Sequence, residues 1–175
     1  EEPAFNLDVK YAGETVASKL ARIREEMKEA GTNVHVVSTI DDICWTLNIR
    51  GNDIDFFPLV LSYGIITMDS FELYIDERKL DDKLKAELAK DGVNLHPYND
   101  IYEDVKKFGS DVVAMIDPGK LNYALFNNIP KNVKTVEKRN PAILMKAIKN
   151  PVEIENIRKA QIKDSVAHVR FMKWL

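Results

Sequence analysis

Residues 33–38 read Asn-Val-His-Val-Val-Ser, and this short run is the strongest indication of fold class in the sequence. Its residues are β-branched or apolar on both alternating faces, which is typical of a strand covered by helices on each side of a sheet. Ahead of it, residues 15–30 carry apolar side chains at the three- and four-residue spacing of an amphipathic helix that Gly31 ends. We therefore expect a central strand that follows a surface helix.

The stretch after this strand predicts a helix and then a β-hairpin. Thr39 offers its hydroxyl as a helix N-cap, and two aspartates follow it in the first turn of a helix over residues 40–47. Residues 48–58 are rich in Asn, Asp, Gly and Pro, and we interpret them as an ordered loop. Two β-rich runs, residues 59–67 and 71–76, are separated by a spacing that predicts an antiparallel hairpin.

Helical and β-rich segments alternate in the next part of the chain. Alternation of this kind predicts a sheet with helices on both faces, and the antiparallel hairpin makes that sheet mixed. The expected helices cover residues 81–90, 99–108, 119–126 and 141–148, and the expected strands cover residues 93–96, 111–116 and 133–137.

The C-terminal segment, residues 149–175, has a different pattern. Pro151 disfavours helical geometry in the residue before it, so one helix ends near residue 148 and a second begins at the proline. Apolar residues then recur as far as Leu175 without a helix-ending signal. We therefore divide the chain into an α/β domain, residues 1–148, and a linker with a helix whose packing surface belongs to further sequence.

Composition narrows the classes of function. The chain has 175 residues of which 45% are hydrophobic, enough for one domain with a substantial core. Its charges are mixed in sign with a formal net charge of −3, which disfavours nucleic acid as a partner. Its apolar runs are far shorter than the roughly 20 residues of a membrane-spanning helix. A lone cysteine and the absence of a secretory pattern in the first residues predict a reducing, cytoplasmic setting.

Motifs for metal binding, nucleotide binding and serine hydrolysis are absent from the sequence. The three histidines are scattered, so we expect no metal site and no catalytic residue in this chain. Cys44 lies among apolar residues, which favours a buried, inert thiol over a nucleophile. His35 lies in an apolar strand, which favours a hydrogen-bonded structural histidine over a metal ligand.

Four residues are candidates for the wall of a substrate cleft: Trp45, Asn48, Arg50 and Asp53. A guanidinium at Arg50 can bind a carboxylate or a peptide carbonyl through two hydrogen bonds. The residues alone favour the alternative, in which Arg50 and Asp53 brace the loop internally. Trp45 could face a cleft, although its apolar neighbours favour a position in the core.

Two longer stretches carry a family resemblance. Residues 42–64 read Asp-Ile-Cys-Trp-Thr-Leu-Asn-Ile-Arg-Gly-Asn-Asp-Ile-Asp-Phe-Phe-Pro-Leu-Val-Leu-Ser-Tyr-Gly. This run resembles the pattern Trp-Leu-x-Asn-x-Arg-Gly-Ser-Asp-x-x-x-Asn-Pro-Val-x-x-Ser-Tyr in the second domain of cytosolic Xaa-Pro aminopeptidases, peptidase family M24. It departs from the pattern at Asn52 and Phe57, where the pattern has Ser and Asn. Residues 146–167 are similar to the Lys-Asn-x-x-Glu-x-x-x-x-Arg-x-Ala-x-x-x-Asp segment that opens the "pita-bread" catalytic domain of the same family.

The resemblance implies a creatinase N-terminal-type fold, a three-layer α/β/α sandwich on a mixed sheet, for residues 1–148. It places residues 149–175 in the linker and first helix of the catalytic domain. It also implies a parent enzyme that removes an N-terminal residue preceding proline. That enzyme uses two divalent metal ions, usually manganese, held by two Asp, one His and two Glu outside this chain.

The expected role of this chain is then a non-catalytic structural and substrate-access domain. Its expected partners are the catalytic domain of the same chain, a second copy in a homodimer, and peptides with proline in the second position. The alternative is a stand-alone protein-binding or scaffolding module without peptidase activity. A self-sufficient enzyme that uses Cys44 or an acidic pair is the least favoured interpretation.

Overall fold

The computed structural model describes residues 2–175. The strands in this part of the chain are β1 (Phe5–Asn6), β2 (Val34–Val37), β3 (Ile49–Arg50), β4 (Ser62–Thr67), β5 (Phe71–Ile75), β6 (Val93–His96), β7 (Val113–Ile116) and β8 (Lys134–Glu137). The α-helices are α1 (Val9–Ala12), α2 (Val16–Glu29), α3 (Ile40–Thr46), α4 (Asp82–Lys90), α5 (Ile101–Asp104), α6 (Tyr123–Asn128), α7 (Pro141–Ala147) and α8 (Pro151–Trp174). Short 3-10 turns follow β5 and α5, at Glu77–Lys79 and Val105–Lys107.

Six of the strands form one mixed sheet in the order β6-β5-β4-β2-β7-β8. β4 and β5 are the predicted antiparallel hairpin, and β4 is also antiparallel to β2. The pairs β2 with β7, β7 with β8 and β5 with β6 are parallel. The predicted mixed sheet is confirmed, and β2 lies in its interior as expected. The two remaining strands, β1 and β3, pair with each other in a separate two-stranded sheet.

Helices cover both faces of the sheet. All four residues of β2 are buried, because Val34 and Val36 face one layer of helices while His35 and Val37 face the other. The side chains of α2, α3, α4 and α7 pack in the core on one face, and those of α5 and α6 pack in the core on the other. The predicted three-layer α/β/α sandwich is therefore confirmed.

Several helix and loop boundaries differ from the predicted ones because of local hydrogen bonds. The Thr39 hydroxyl donates to Asp42 Oδ2 at 2.6 Å and accepts no backbone amide, so its predicted capping role is wrong. The helix expected from residue 119 begins at Tyr123, because the side chain of Asn122 accepts the amide of Leu125 at 2.9 Å and caps it there. The loop expected over residues 48–58 contains β3, and the helix expected over residues 99–108 is divided into α5 and a 3-10 turn.

The helix α8 projects from the sandwich. Its start is fixed by a capping box, in which Asn150 Oδ1 accepts the Glu153 amide and the Glu153 carboxylate accepts the Asn150 amide, both at 2.9 Å. Every residue from 157 to 175 is exposed. Within residues 2–175, this helix and all others lack the combination of length and apolar character that crossing a membrane requires.

Candidate functional site

The predicted cleft residues lie where α3 ends and the chain turns into β3. Asn48 has a backbone φ of 51°, a left-handed conformation that asparagine tolerates better than most residues. This conformation reverses the chain, so that Ile49 and Arg50 pair with β1. Trp45 and Asn48 are buried, with 6% and 2% of their surfaces exposed, and Arg50 is half-buried. We call residues 48–51 the Arg50 turn.

A buried cation that the sequence analysis did not identify lies behind this turn. Lys19 of α2 is 1% exposed, and its ammonium donates to the Trp45 carbonyl at 2.7 Å and to Asn48 Oδ1 at 2.6 Å. The same nitrogen lies 4.3 Å from the centroid of the Trp45 ring, in cation–π contact. Lys19 thus joins α2 to the C-terminal end of α3 and fixes the side chain of Asn48.

No carboxylate within residues 2–175 forms a salt bridge with Lys19. Burial therefore lowers the pKa of Lys19 to about 8, although Glu14 and Glu153 act in the opposite direction. The cation is held by a carbonyl, an amide oxygen and an aromatic face, which are neutral groups. This arrangement makes Lys19 a pH-dependent contributor to stability.

Arg50 has a guanidinium that is only partly engaged. Its Nη1 donates to the backbone carbonyls of Cys44 and Ile49, at 2.8 Å each. Across residues 2–175, its Nε and Nη2 have no hydrogen-bond partner and no acidic side chain forms a salt bridge with it. Burial lowers the pKa of Arg50 below its ordinary value, while Cys44 and Glu153 raise it. The turn therefore presents a fixed cation with unused donors.

Asp53 does not pair with Arg50. Its Oδ2 accepts the Leu61 amide at 2.8 Å, and its Oδ1 forms an ion pair with Lys79. The Asp53 side chain is only 9% exposed, so its carboxylate is used within the loop. Arg50 and Asp53 each brace the loop, as the alternative interpretation expected, but through different partners. A contact of any of the four candidates with substrate stays a prediction.

Cys44 and His35 have structural surroundings, as predicted. The Cys44 sulfur accepts the Val60 amide at 3.4 Å, and burial raises the pKa of its thiol, opposite to what a nucleophile requires. His35 is buried with Nδ1 at 3.1 Å from the Met115 carbonyl oxygen and Nε2 at 3.2 Å from Asn140 Oδ1. Burial also lowers the pKa of this imidazole.

Metal ligands are not grouped in the part of the chain that the structure describes. Within residues 2–175, no three His, Cys, Asp or Glu side chains lie close enough together to hold a metal ion. The residues present therefore do not fit a metal centre, and we assign no catalytic step to them.

A mixed sheet between two helical layers defines an α/β/α sandwich domain. The chain belongs to the Creatinase/Prolidase N-terminal domain family, whose match covers residues 1–153.

Relatives of known class support the resemblance to Xaa-Pro aminopeptidases. The chain is 40% identical to Xaa-Pro aminopeptidase 1 of Dictyostelium discoideum, over 98% of this chain and 27% of that protein. It is 36% identical to the probable Xaa-Pro aminopeptidase P of Neurospora crassa, over 99% of this chain and 27% of that protein.

A solved structure is similar over the whole chain. The X-prolyl aminopeptidase of Caenorhabditis elegans, a cytosolic enzyme with a di-nuclear active site, superposes with a TM-score of 0.94 and 31% identity. The superposition covers 100% of this chain and 29% of that one. The chain thus spans less than a third of the length of each of these three relatives.

Proposed function

We propose that this chain is the non-catalytic structural and substrate-access domain of a metal-dependent Xaa-Pro aminopeptidase. In this proposal the parent enzyme removes the N-terminal residue preceding proline and works in the cytoplasm. The observation that carries the proposal is the apolar surface of α8 beyond its first turns, since every residue from 157 to 175 is exposed. The similarity to Xaa-Pro aminopeptidases over about a quarter of their length supports it.

The exposed surface of α8 is large for a helix in water. Its apolar residues are Val152, Ile154, Ile157, Ile162, Val166, Val169, Phe171, Met172 and Trp174. Of these, Ile162, Val166 and Val169 lie together on one side of the helix. Exposed apolar side chains that lie together usually mark a contact with another protein surface. We assign it to the catalytic domain of the same chain, which begins at residue 149 and follows the α/β domain of residues 1–148.

Arg50 lies on the side of the sandwich from which α8 leaves. Glu153, in the first turn of α8, is close enough to raise the pKa of both Lys19 and Arg50. We propose that a catalytic domain attached through α8 faces the Arg50 turn. In that domain we place two divalent metal ions, with manganese as the expected metal, because residues 2–175 offer no ligand group.

Recognition of proline depends on the shape of a cleft, because a proline amide lacks the hydrogen that other peptide bonds donate. We propose that the Arg50 turn forms a wall of that cleft, in the same chain or across a homodimer. Arg50 would donate to a carbonyl or carboxylate of the peptide beyond proline. Trp45, Asn48 and Asp53 are the other candidates for that wall.

The test is Arg50→Ala in the full-length parent enzyme, assayed on Xaa-Pro peptides of increasing length. Loss of a charge-assisted hydrogen bond costs about 1.5–3 kcal/mol, so kcat/KM should fall about 10- to 100-fold on peptides that reach Arg50. The shortest substrates should be affected least. Arg139→Ala, at an exposed arginine far along the chain, is the matched control. Equal kinetics for wild type and Arg50→Ala at every length would contradict the access role.

A stand-alone protein-binding module is the second candidate, because an exposed apolar helix equally suits a separate partner. The reading frame of the parent gene distinguishes the two. The peptidase is supported if the frame continues into a segment with two Asp, one His and two Glu ligands. It is supported further if the product cleaves Xaa-Pro peptides in a manganese-dependent way. A frame without such a segment would support the binding module.

A further inference from the structure

We infer that residues 4–14, the N-terminal clasp, set the direction of α8 and couple it to the Arg50 turn. The inference rests on the proposed function, since it concerns how the access domain is positioned against a catalytic domain. The clasp contains β1 and α1 and lies between the start of α8 and the Arg50 turn.

The clasp accepts hydrogen bonds from two asparagines at the start of α8. Asn150 Nδ2 donates to the Ala12 carbonyl at 2.8 Å, and Asn156 Nδ2 donates to the Lys10 carbonyl at 3.2 Å. The two asparagines are about 1.7 helical turns apart, so together they fix the rotation of α8 as well as its position. The helix α1 is the element against which α8 packs.

Gly13 is the residue that permits this contact. Its φ is 71°, and a Cβ built on it would lie 2.2 Å from Asn150 Oδ1. No side chain larger than hydrogen fits there unless Asn150 moves. The close approach of Asn150 to the Ala12 carbonyl therefore requires glycine at position 13.

The other side of the clasp holds the Arg50 turn. Phe5 lies opposite Arg50 in the antiparallel β1–β3 pair. The Leu7 amide donates to the Asn48 carbonyl at 2.6 Å, and Asn48 Nδ2 donates to the Glu14 carbonyl at 2.9 Å. The same short segment thus contacts both α8 and the turn that carries the partly engaged guanidinium.

A small change in the direction of α8 at its start causes a large displacement at its far end. A helix of 24 residues is about 36 Å long, so a 10° rotation at its root moves its far end by about 6 Å. Misplacement of a substrate-binding group by about 1 Å can cost about 100-fold in rate. The clasp therefore makes Gly13, Asn150 and Asn156 positioning residues that hold Arg50 at a set distance from the reacting bond.

The direct test measures the distance from the sandwich to α8 in the 175-residue chain. Spin labels are attached at Lys134→Cys and Lys163→Cys, both exposed, while the native Cys44 is buried and unreactive. The distance between the two labels is measured by double electron–electron resonance. Gly13→Ala should shift or broaden its distribution. Gly31→Ala is the matched control, because Gly31 is also left-handed, with φ 67°, but has nothing within 4 Å of its added Cβ. It should leave the distribution unchanged.

Asn150→Asp provides a second variant if Gly13→Ala does not fold. Aspartate keeps the oxygen that caps α8 but loses the amide donor to the Ala12 carbonyl. Its distance distribution should broaden as well. Identical distributions for wild type, Gly13→Ala and Asn150→Asp would overturn the clasp.

The same variants in the parent enzyme separate the clasp from the proposed function. Gly13→Ala and Asn150→Asp should lower kcat/KM on long Xaa-Pro peptides about tenfold, mainly through KM, and Gly31→Ala should not. If wild-type parent protein has no peptidase activity but the distances shift, the proposed function fails and the clasp stands. If the parent cleaves peptides but the distances do not shift, the clasp fails and the peptidase assignment stands.

Discussion

Replacing Asp42 with alanine is expected to lower the free energy of unfolding by about 3–4 kcal/mol. Asp42 is 2% exposed and accepts from Thr39 Oγ1 at 2.6 Å, Asn140 Nδ2 at 2.9 Å and Lys146 Nζ at 2.6 Å. It joins α3 to the residue that caps α7. Without the carboxylate, the buried Asn140 amide and the part-buried Thr39 hydroxyl and Lys146 ammonium lose this acceptor.

Asp41→Ala is the matched control for this prediction. Asp41 is the neighbouring residue and pairs with the same Lys146, but its side chain is 55% exposed. Its removal should cost less than about 1 kcal/mol, as for other exposed ion pairs. Urea unfolding followed by circular dichroism compares the two variants. Equal losses would mean that burial does not determine the contribution of Asp42.

The parts of the fold that the sequence predicted are those with a local pattern. The hairpin β4–β5 is confirmed. It was predictable because its two strands are joined by a turn of only a few residues, so the strands that pair are also neighbours in the sequence. The helix expected over residues 81–90 is confirmed as α4, and the structure adds that the Asp81 side chain caps it by accepting the Leu84 amide. β2 was recognisable because both of its faces are apolar.

The N-terminal clasp could not be predicted in the same way. A strand of two residues and a helix of four are too short to show a period. What stabilises them is distant in sequence: Asn150 is 138 residues from the Ala12 carbonyl to which it donates. The prediction for Thr39 is wrong for a local reason: its hydroxyl donates to the carboxylate of Asp42, three residues further on, and accepts no backbone amide.

The candidate site was predicted in part. The Asn48 to Asp53 cluster indicated an ordered, arginine-bearing loop, and the structure forms one. Lys19 was missed although a signal was present. It follows Val16 by three residues and precedes Ile23 by four, so it lies on the apolar face of α2. A charged residue in that position predicts a buried cation with specific partners.

Lys19→Ala is therefore expected to destabilise the chain by about 2–3 kcal/mol at pH 7. The substitution removes the packed stem of the side chain. It also leaves Asn48 Oδ1 without its donor and leaves the Trp45 carbonyl with backbone amides only, that of Asn48 at 3.4 Å. Lys19→Met keeps most of the stem and no longer buries a charge, so it should cost less than Lys19→Ala. Lys28→Ala, on the exposed side of the same helix, is the control and should change stability by less than about 0.5 kcal/mol.

The pH dependence separates the charge of Lys19 from its packing. Burial lowers the pKa of Lys19 from 10.5 to about 8, so between these values the unfolded chain binds a proton that the folded chain does not. Folded wild type should therefore gain about 2–3 kcal/mol relative to Lys19→Met as the pH rises from 7 to 10. Unfolding both proteins at pH 7, 8.5 and 10 and subtracting the two free energies cancels the other titrating groups. A difference that stays constant would mean that Lys19 titrates as an exposed lysine does, and that its three neutral contacts compensate fully for its removal from water.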